Sequence, residues 1–155
     1  MPVNIGPLEL ALSLNTQLPA AGTNVTTGTL DLQSIAPNGD AWRLGRIAVV
    51  MPAIAGNTAG AGITIALQAA PPSLVAGSAA IAPLTPPAGA FVTPAVAQTL
   101  TVAPVANGGS TAGLYYFTLP FDSNGSPYQF LNFVITNPAQ VASQNEVITI
   151  GYVNA

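Results

Sequence analysis

Chemistry at a protein site needs groups that exchange protons, carry charge or attack, and this 155-residue chain has few of them. Its acids are Glu9, Asp31, Asp40, Asp122 and Glu146. Its only basic side chains are Arg43 and Arg46, and it has no histidine, lysine or cysteine. A serine nucleophile usually needs a histidine or lysine base, so that route is closed. A pair of carboxylates could hydrolyse a glycoside, but the acids are scattered and no pair is close in sequence. Asp31 and Asp40 could meet across a loop; the simpler expectation is two turn or strand-end carboxylates facing Arg43 and Arg46. "FDSNGSPY" (121–128) resembles an acidic calcium loop only in the spacing of Asp122 and Asn124. Calcium takes more oxygen ligands than this, and an Asn-Gly turn is expected there instead. The chain is therefore expected to be no enzyme, with no catalytic residue, no metal ligand and no cofactor.

Contact chemistry is better represented. "DAWRLGR" (40–46) holds both arginines and the only tryptophan. Trp and Arg are typical interface anchors, so Trp42, Arg43 and Arg46 are candidate contact residues. The plainer alternative for Trp42 is a ring at the edge of the fold with an arginine stacked over it. "LYYF" (114–117) could offer Tyr115 or Tyr116 to a sugar ring, although alternation turns one of them outward in any strand. "NVT" (24–26) and "NGS" (124–126) fit the glycosylation sequon, which carries little weight beside a start, "MPVNIGPLELALSL", without the basic residues of a secretory signal.

The elements that would position these residues read as strands. "LELALSL" (8–14) sets Leu8, Leu10, Leu12 and Leu14 at spacing two. "TNVTTGTLDL" (23–32), "GRIAVVM" (45–51), "GITIALQ" (62–68), "AQTLTVAPV" (97–105), "GLYYFTLPF" (113–121), "YQFLNFVIT" (128–136) and "EVITIGYV" (146–153) follow. "GRIAVVM" is continuously apolar, as a core strand is. Asn-Gly turn signals lie in "PNGD" (37–40), "NGG" (107–109) and "SNG" (123–125). Several short strands with turn signals between them predict an all-β sandwich or barrel in one domain. Residues 1–22 are read as an N-terminal arm with a possible first strand, and 23–155 as the sandwich.

Charged residues make up 5% of the chain, against about 25% in an average soluble protein. Much of the surface must then be Ala, Ser, Thr, Asn, Gln, Gly and Pro. Such a surface suits lying against another protein and has little to keep copies apart. Nucleic acid is excluded as a partner, because phosphates need clustered Lys and Arg. No uninterrupted apolar run reaches the ~20 residues of a membrane-spanning helix, so a soluble protein without a membrane partner is expected. From Gln68 to Pro94 the chain is apolar, uncharged and rich in proline. Proline stiffens a loop without regular hydrogen bonds. Its side chains, Leu74, Ile81, Leu84 and Phe91 among them, would cover either the sandwich itself or a neighbouring subunit.

From Thr23 on, the order of segments resembles the small jelly-roll cement, or decoration, proteins of tailed bacteriophages. The likeness rests on "TNVTTGTLDLQSIAPNGDAWRLGRIAVVMPAIAGNTAGAGITIALQAA" and on the closing "LPFDSNGSPYQFLNFVITNPAQVASQNEVITIGYVNA". The chain departs from that pattern in lacking basic loops and in the length of its proline-rich segment. The resemblance implies a jelly roll of about eight antiparallel strands that forms a homo-oligomer, dimer or trimer. It implies binding to the major capsid protein on the outside of an icosahedral shell, cementing capsomers, after synthesis in the bacterial host cytoplasm. The alternative expectation is a receptor- or glycan-binding sandwich of a virion tail or spike.

Overall fold

The computed structural model describes residues 10–32, 45–55, 62–70, 91–94, 96–102, 109–110, 112–123, 125, 128–138 and 146–153. Within them the secondary structure is strand: β1 (Leu10–Gln17), β2 (Asn24–Thr26), β3 (Leu30–Asp31), β4 (Arg46–Met51), β5 (Ile54–Ala55), β6 (Ile63–Ala70), β7 (Thr99–Val102), β8 (Gly109–Ser110), β9 (Gly113–Phe117), β10 (Phe130–Thr136) and β11 (Val147–Val153). Each of the eight strand-like segments of the sequence overlaps at least one of these strands, with β1 and β6 running three and two residues past 8–14 and 62–68, and 23–32 holding both β2 and β3.

All the pairings are antiparallel. One sheet runs β1-β11-β4-β9, and the other runs β2-β10-β6-β7 with β3 also on β10. β2 and β3 occupy one position on β10, Thr26 opposite Val134 and Leu30 opposite Leu131. The chain crosses from β1 to the other sheet, returns in β4, crosses to β6 and turns beside itself in β7. It then alternates through β9, β10 and β11, so the first and last strands lie side by side. This is the strand order of a jelly roll, two Greek keys wrapped into a two-sheet sandwich.

Period-two patterning explains why the sheets face each other. Ile47, Val49 and Met51 of β4 and Ile148, Ile150 and Tyr152 of β11 point inward from one sheet. Ile63, Ile65 and Leu67 of β6 and Leu131, Phe133 and Ile135 of β10 meet them from the other, all in one buried cluster. The rings of Phe117 and Phe133 lie 5.6 Å apart and bridge the two layers. A buried aromatic of this size is worth about 3–5 kcal/mol against truncation to alanine.

The run "GRIAVVM" is a core strand as expected: β4 lies between β11 and β9, and Ile47, Ala48, Val49 and Met51 are buried, while Val50 is exposed. In β10 the buried run is longer, Phe130, Leu131, Asn132 and Phe133 in succession. The structure departs from the sequence-based expectation in two places. The segment 23–32 is interrupted at Thr27–Thr29. There the Phe133 N–H donates to Thr27 Oγ1 at 3.1 Å, and the Thr27 N–H donates to the Phe133 carbonyl at 2.9 Å. A side-chain hydroxyl thus replaces one rung of the ladder. Finally, β5 and β8 form a two-stranded ribbon. Its strands are two residues each, too short to leave a period in the sequence. Among the described residues no helix is long and apolar enough to cross a membrane.

Candidate contact site

The site residues expected from the sequence are partly within reach. Trp42, Arg43, Leu74, Ile81 and Leu84 lie outside the described residues, as do Asp40 and the turn at 37–40. Arg46 and Phe91 are described. Arg46 opens β4 at the solvent-facing side of the four-stranded sheet, and its guanidinium lies 4.5 Å from the centre of the Tyr116 ring. The arginine therefore stacks on a tyrosine of the neighbouring strand, a cation–π contact worth about 0.5–1 kcal/mol at an exposed site. Asp31, expected to face an arginine, accepts a hydrogen bond from Gln129 Nε2 at 3.1 Å.

Of the two neighbouring tyrosines, Tyr115 packs on the core and Tyr116 is exposed. Around Tyr116 the outer face of the sheet carries Ser13, Asn15 and Gln17 of β1, Val147 and Thr149 of β11, and Val50 of β4. Thr149 Oγ1 donates to Asn15 Oδ1 at 2.8 Å. Arg46 is the one charged side chain among the described residues of these four strands. Val50, Tyr116 and Val147 are its exposed large apolar groups.

A second feature lies where the edges β7 and β9 of the two sheets come together. A cleft of about 440 Å³ is lined by Pro94, Val96, Gln98, Thr118, Leu119, Pro120, Phe121 and Asp122. Val96 stands 75% exposed on its rim, and Phe121 is also exposed. The Gln98 carboxamide braces the cleft. Its Nε2 donates to the Thr118 carbonyl at 2.9 Å, and its Oε1 accepts from the Thr118 N–H and Oγ1, both at 3.0 Å. The side chain pairs with Thr118 as a strand would. Val96 and Phe121 were not singled out in the sequence, because the cleft joins segments distant along the chain.

The ends of the proline-rich connection are anchored. Gln68–Ala70 belong to β6, and on the return Val92 forms an antiparallel bridge to Ala69 with both hydrogen bonds at 2.9 Å. Phe91 beside it is half-buried and Pro94 is buried. Among the described residues of "FDSNGSPY", the Gly125 N–H donates to the Asp122 carbonyl at 3.1 Å, as in a turn, and Gly125 sits at φ 75°. Among the described residues no three His, Cys, Asp or Glu side chains come together as a metal site. No family model, no curated protein and no solved structure matches this chain.

Proposed function

We propose that this protein is a structural virion protein that binds the outer surface of an icosahedral phage capsid as a homo-oligomer and cements neighbouring capsomers. The observation that carries the reading is the outer face of the four-stranded sheet. It spans four strands, and Arg46 is the one charged side chain on those described strands. Val50, Tyr116 and Val147 stand exposed on it. Interfaces with protein are depleted of charge at their centre and enriched in aromatic residues and arginine. A jelly-roll frame with such a face is suited to spanning the seam between two flat protein surfaces. The resemblance of residues 23–155 to phage cement proteins supports the same partner.

Particles purified from the source of this chain should contain it at a copy number comparable with that of the major shell protein. Absence from particles, or a copy number fitting a single vertex or tail, defeats the reading. Binding to free sugars on a glycan array would favour a receptor-binding module instead. Two charge variants place the contact. Val50→Asp tests the sheet face and Leu84→Asp the proline-rich segment. At least one should lose tenfold or more in attachment while keeping the parent melting temperature, since an unpaired charge is costly at an interface and cheap in water.

A further inference from the structure

The geometry points to the open edge of β9 as a self-association site. Two copies of this chain pair there, β9 against β9 across a two-fold axis, so that the four-stranded sheet continues from one molecule into the next. This deepens the self-association in the reading above and needs no shell.

The four-stranded sheet ends at β9, which among the described strands pairs only with β4. The direction of its backbone groups follows from the far side of the sheet. The Leu18 N–H donates to the Glu146 carbonyl at 2.9 Å, so the even-numbered residues of β1 and β11 bond each other. In an antiparallel ladder the N–H and C=O of one residue point to the same neighbour, and the next residue points to the other. Gly151 and Thr149 of β11 therefore bond Ala48 and Val50 of β4. Ile47, Val49 and Met51 turn the other way and bond Phe117, Tyr115 and Gly113 of β9. Leu114 and Tyr116 are left with both backbone groups aimed at the open side. Thr118 agrees with this parity, because its N–H and C=O are the groups that Gln98 takes.

Natural sheets guard such edges with charges, prolines, bulges or very short strands. The other edges of this sandwich each carry an interruption. β1 shifts register between Leu10 and Leu12, ahead of its regular run Leu12–Gln17. The β2–β3 edge breaks at Thr27–Thr29, and the β7 edge breaks between Val92 and Gln98, around Pro94. β9 has no such interruption. "GLYYF" carries no charge and no proline, is rich in strand-forming aromatics, and pairs with β4 without a register shift. An unguarded edge whose own sequence is a good strand fits a second copy of itself, and a two-fold axis is the usual closed solution. Parity allows only registers that pair even residues with even residues, and the one that engages both Leu114 and Tyr116 of β9 has Leu114 of one copy exchange both hydrogen bonds with Tyr116 of the other, around an axis at Tyr115.

The full chain should sediment at twice its 15.5 kDa mass at micromolar concentration. Leu114→Pro removes an N–H on the open side and none directed at β4, so it should melt as the parent does and sediment as a monomer. A parent that is monomeric, or that assembles to a multiple other than two, overturns the proposal. So does a folded Leu114→Pro that keeps the parent mass. Should that variant not fold, Tyr115→Cys decides. It introduces the only thiol of the chain at a position that faces its own copy about 4.5 Å away between Cα atoms, within disulfide reach. Oxidation should yield a covalent dimer, and a persistent monomer overturns the pairing. Particle attachment, measured separately, reports on the shell reading and can survive or fail without the dimer.

Discussion

At the scale of single residues, the tightest constraint is Gly45 against Tyr152. Tyr152 is fully buried in β11, and a Cβ on Gly45 would fall within its ring. Overpacking of a core by one methyl group costs about 1–3 kcal/mol, and Gly45→Ala should lie at the upper end because the obstacle is a rigid ring. Chemical denaturation measures the loss, and a change below half a kcal/mol would mean the ring is free to move. Burial also raises the Tyr152 phenol above its ordinary value of 10.0, with a hydrogen bond to the Gly45 backbone pulling the other way. The unfolded chain ionises this tyrosine near ~10, and the folded chain resists until higher pH. The stabilisation is therefore complete below pH ~10 and is lost as pH climbs from there through the folded value. In Tyr152→Phe that part of the alkaline decline should flatten. At neutral pH the variant should cost only about 0.5–1.5 kcal/mol for its hydrogen bond. An unchanged alkaline slope would show that another group governs it.

At the scale of elements, side chains close gaps that strands leave open. Thr27 sits where β2 gives way to β3, and its hydroxyl takes the Phe133 N–H and donates to the Gly28 carbonyl at 2.8 Å. Thr27→Val keeps the shape and removes the acceptor. A buried donor left without a partner costs about 1–3 kcal/mol, and the Phe133 amide should exchange faster with solvent. Equal exchange in parent and variant would mean water substitutes for the hydroxyl. Gln98 does the same work at the other edge, in a more exposed setting. Gln98→Ala should cost only about 1 kcal/mol, with the Thr118 amide losing its protection while the β4–β9 ladder keeps its own. Simultaneous loss of protection in β9 would show that the brace holds the whole edge. Asn137 closes the turn from β1 to β2. Its Nδ2 donates to the Pro19 carbonyl at 2.8 Å, and its backbone bonds Gly22 and Thr23.

At the scale of the whole molecule, the deficit of charge governs behaviour. The chain has no histidine, and no side-chain type it contains has a reference pKa between about 6 and 9. Stability varies with pH only where folded and unfolded states bind different numbers of protons. Melting temperatures measured across that window should coincide within a few degrees. A larger slope would reveal a carboxylate strongly perturbed by the fold. The same deficit leaves dispersion, apolar burial and backbone pairing as the chief means of contact open to such a surface.

The residues themselves carried the class of the fold. In "GITIALQ", Ile63, Ile65 and Leu67 are buried and Thr64, Ala66 and Gln68 are less so. A sheet with one face on a core imprints a period of two on its own sequence, so such strands are legible one at a time. The absence of histidine, lysine and cysteine likewise needs no coordinates. Pairing is another matter. Nothing local in "GRIAVVM" says that β4 lies between β11 and β9, or that Arg46 will stack on Tyr116 seventy positions away. The cleft at Val96 and Phe121, the brace from Gln98 to Thr118 and the open edge at Leu114 and Tyr116 exist only once distant segments meet. Strand neighbours are selected by the joint packing of both sheets, and a short-range pattern records which face a residue turns to the core but not which strand stands beside it.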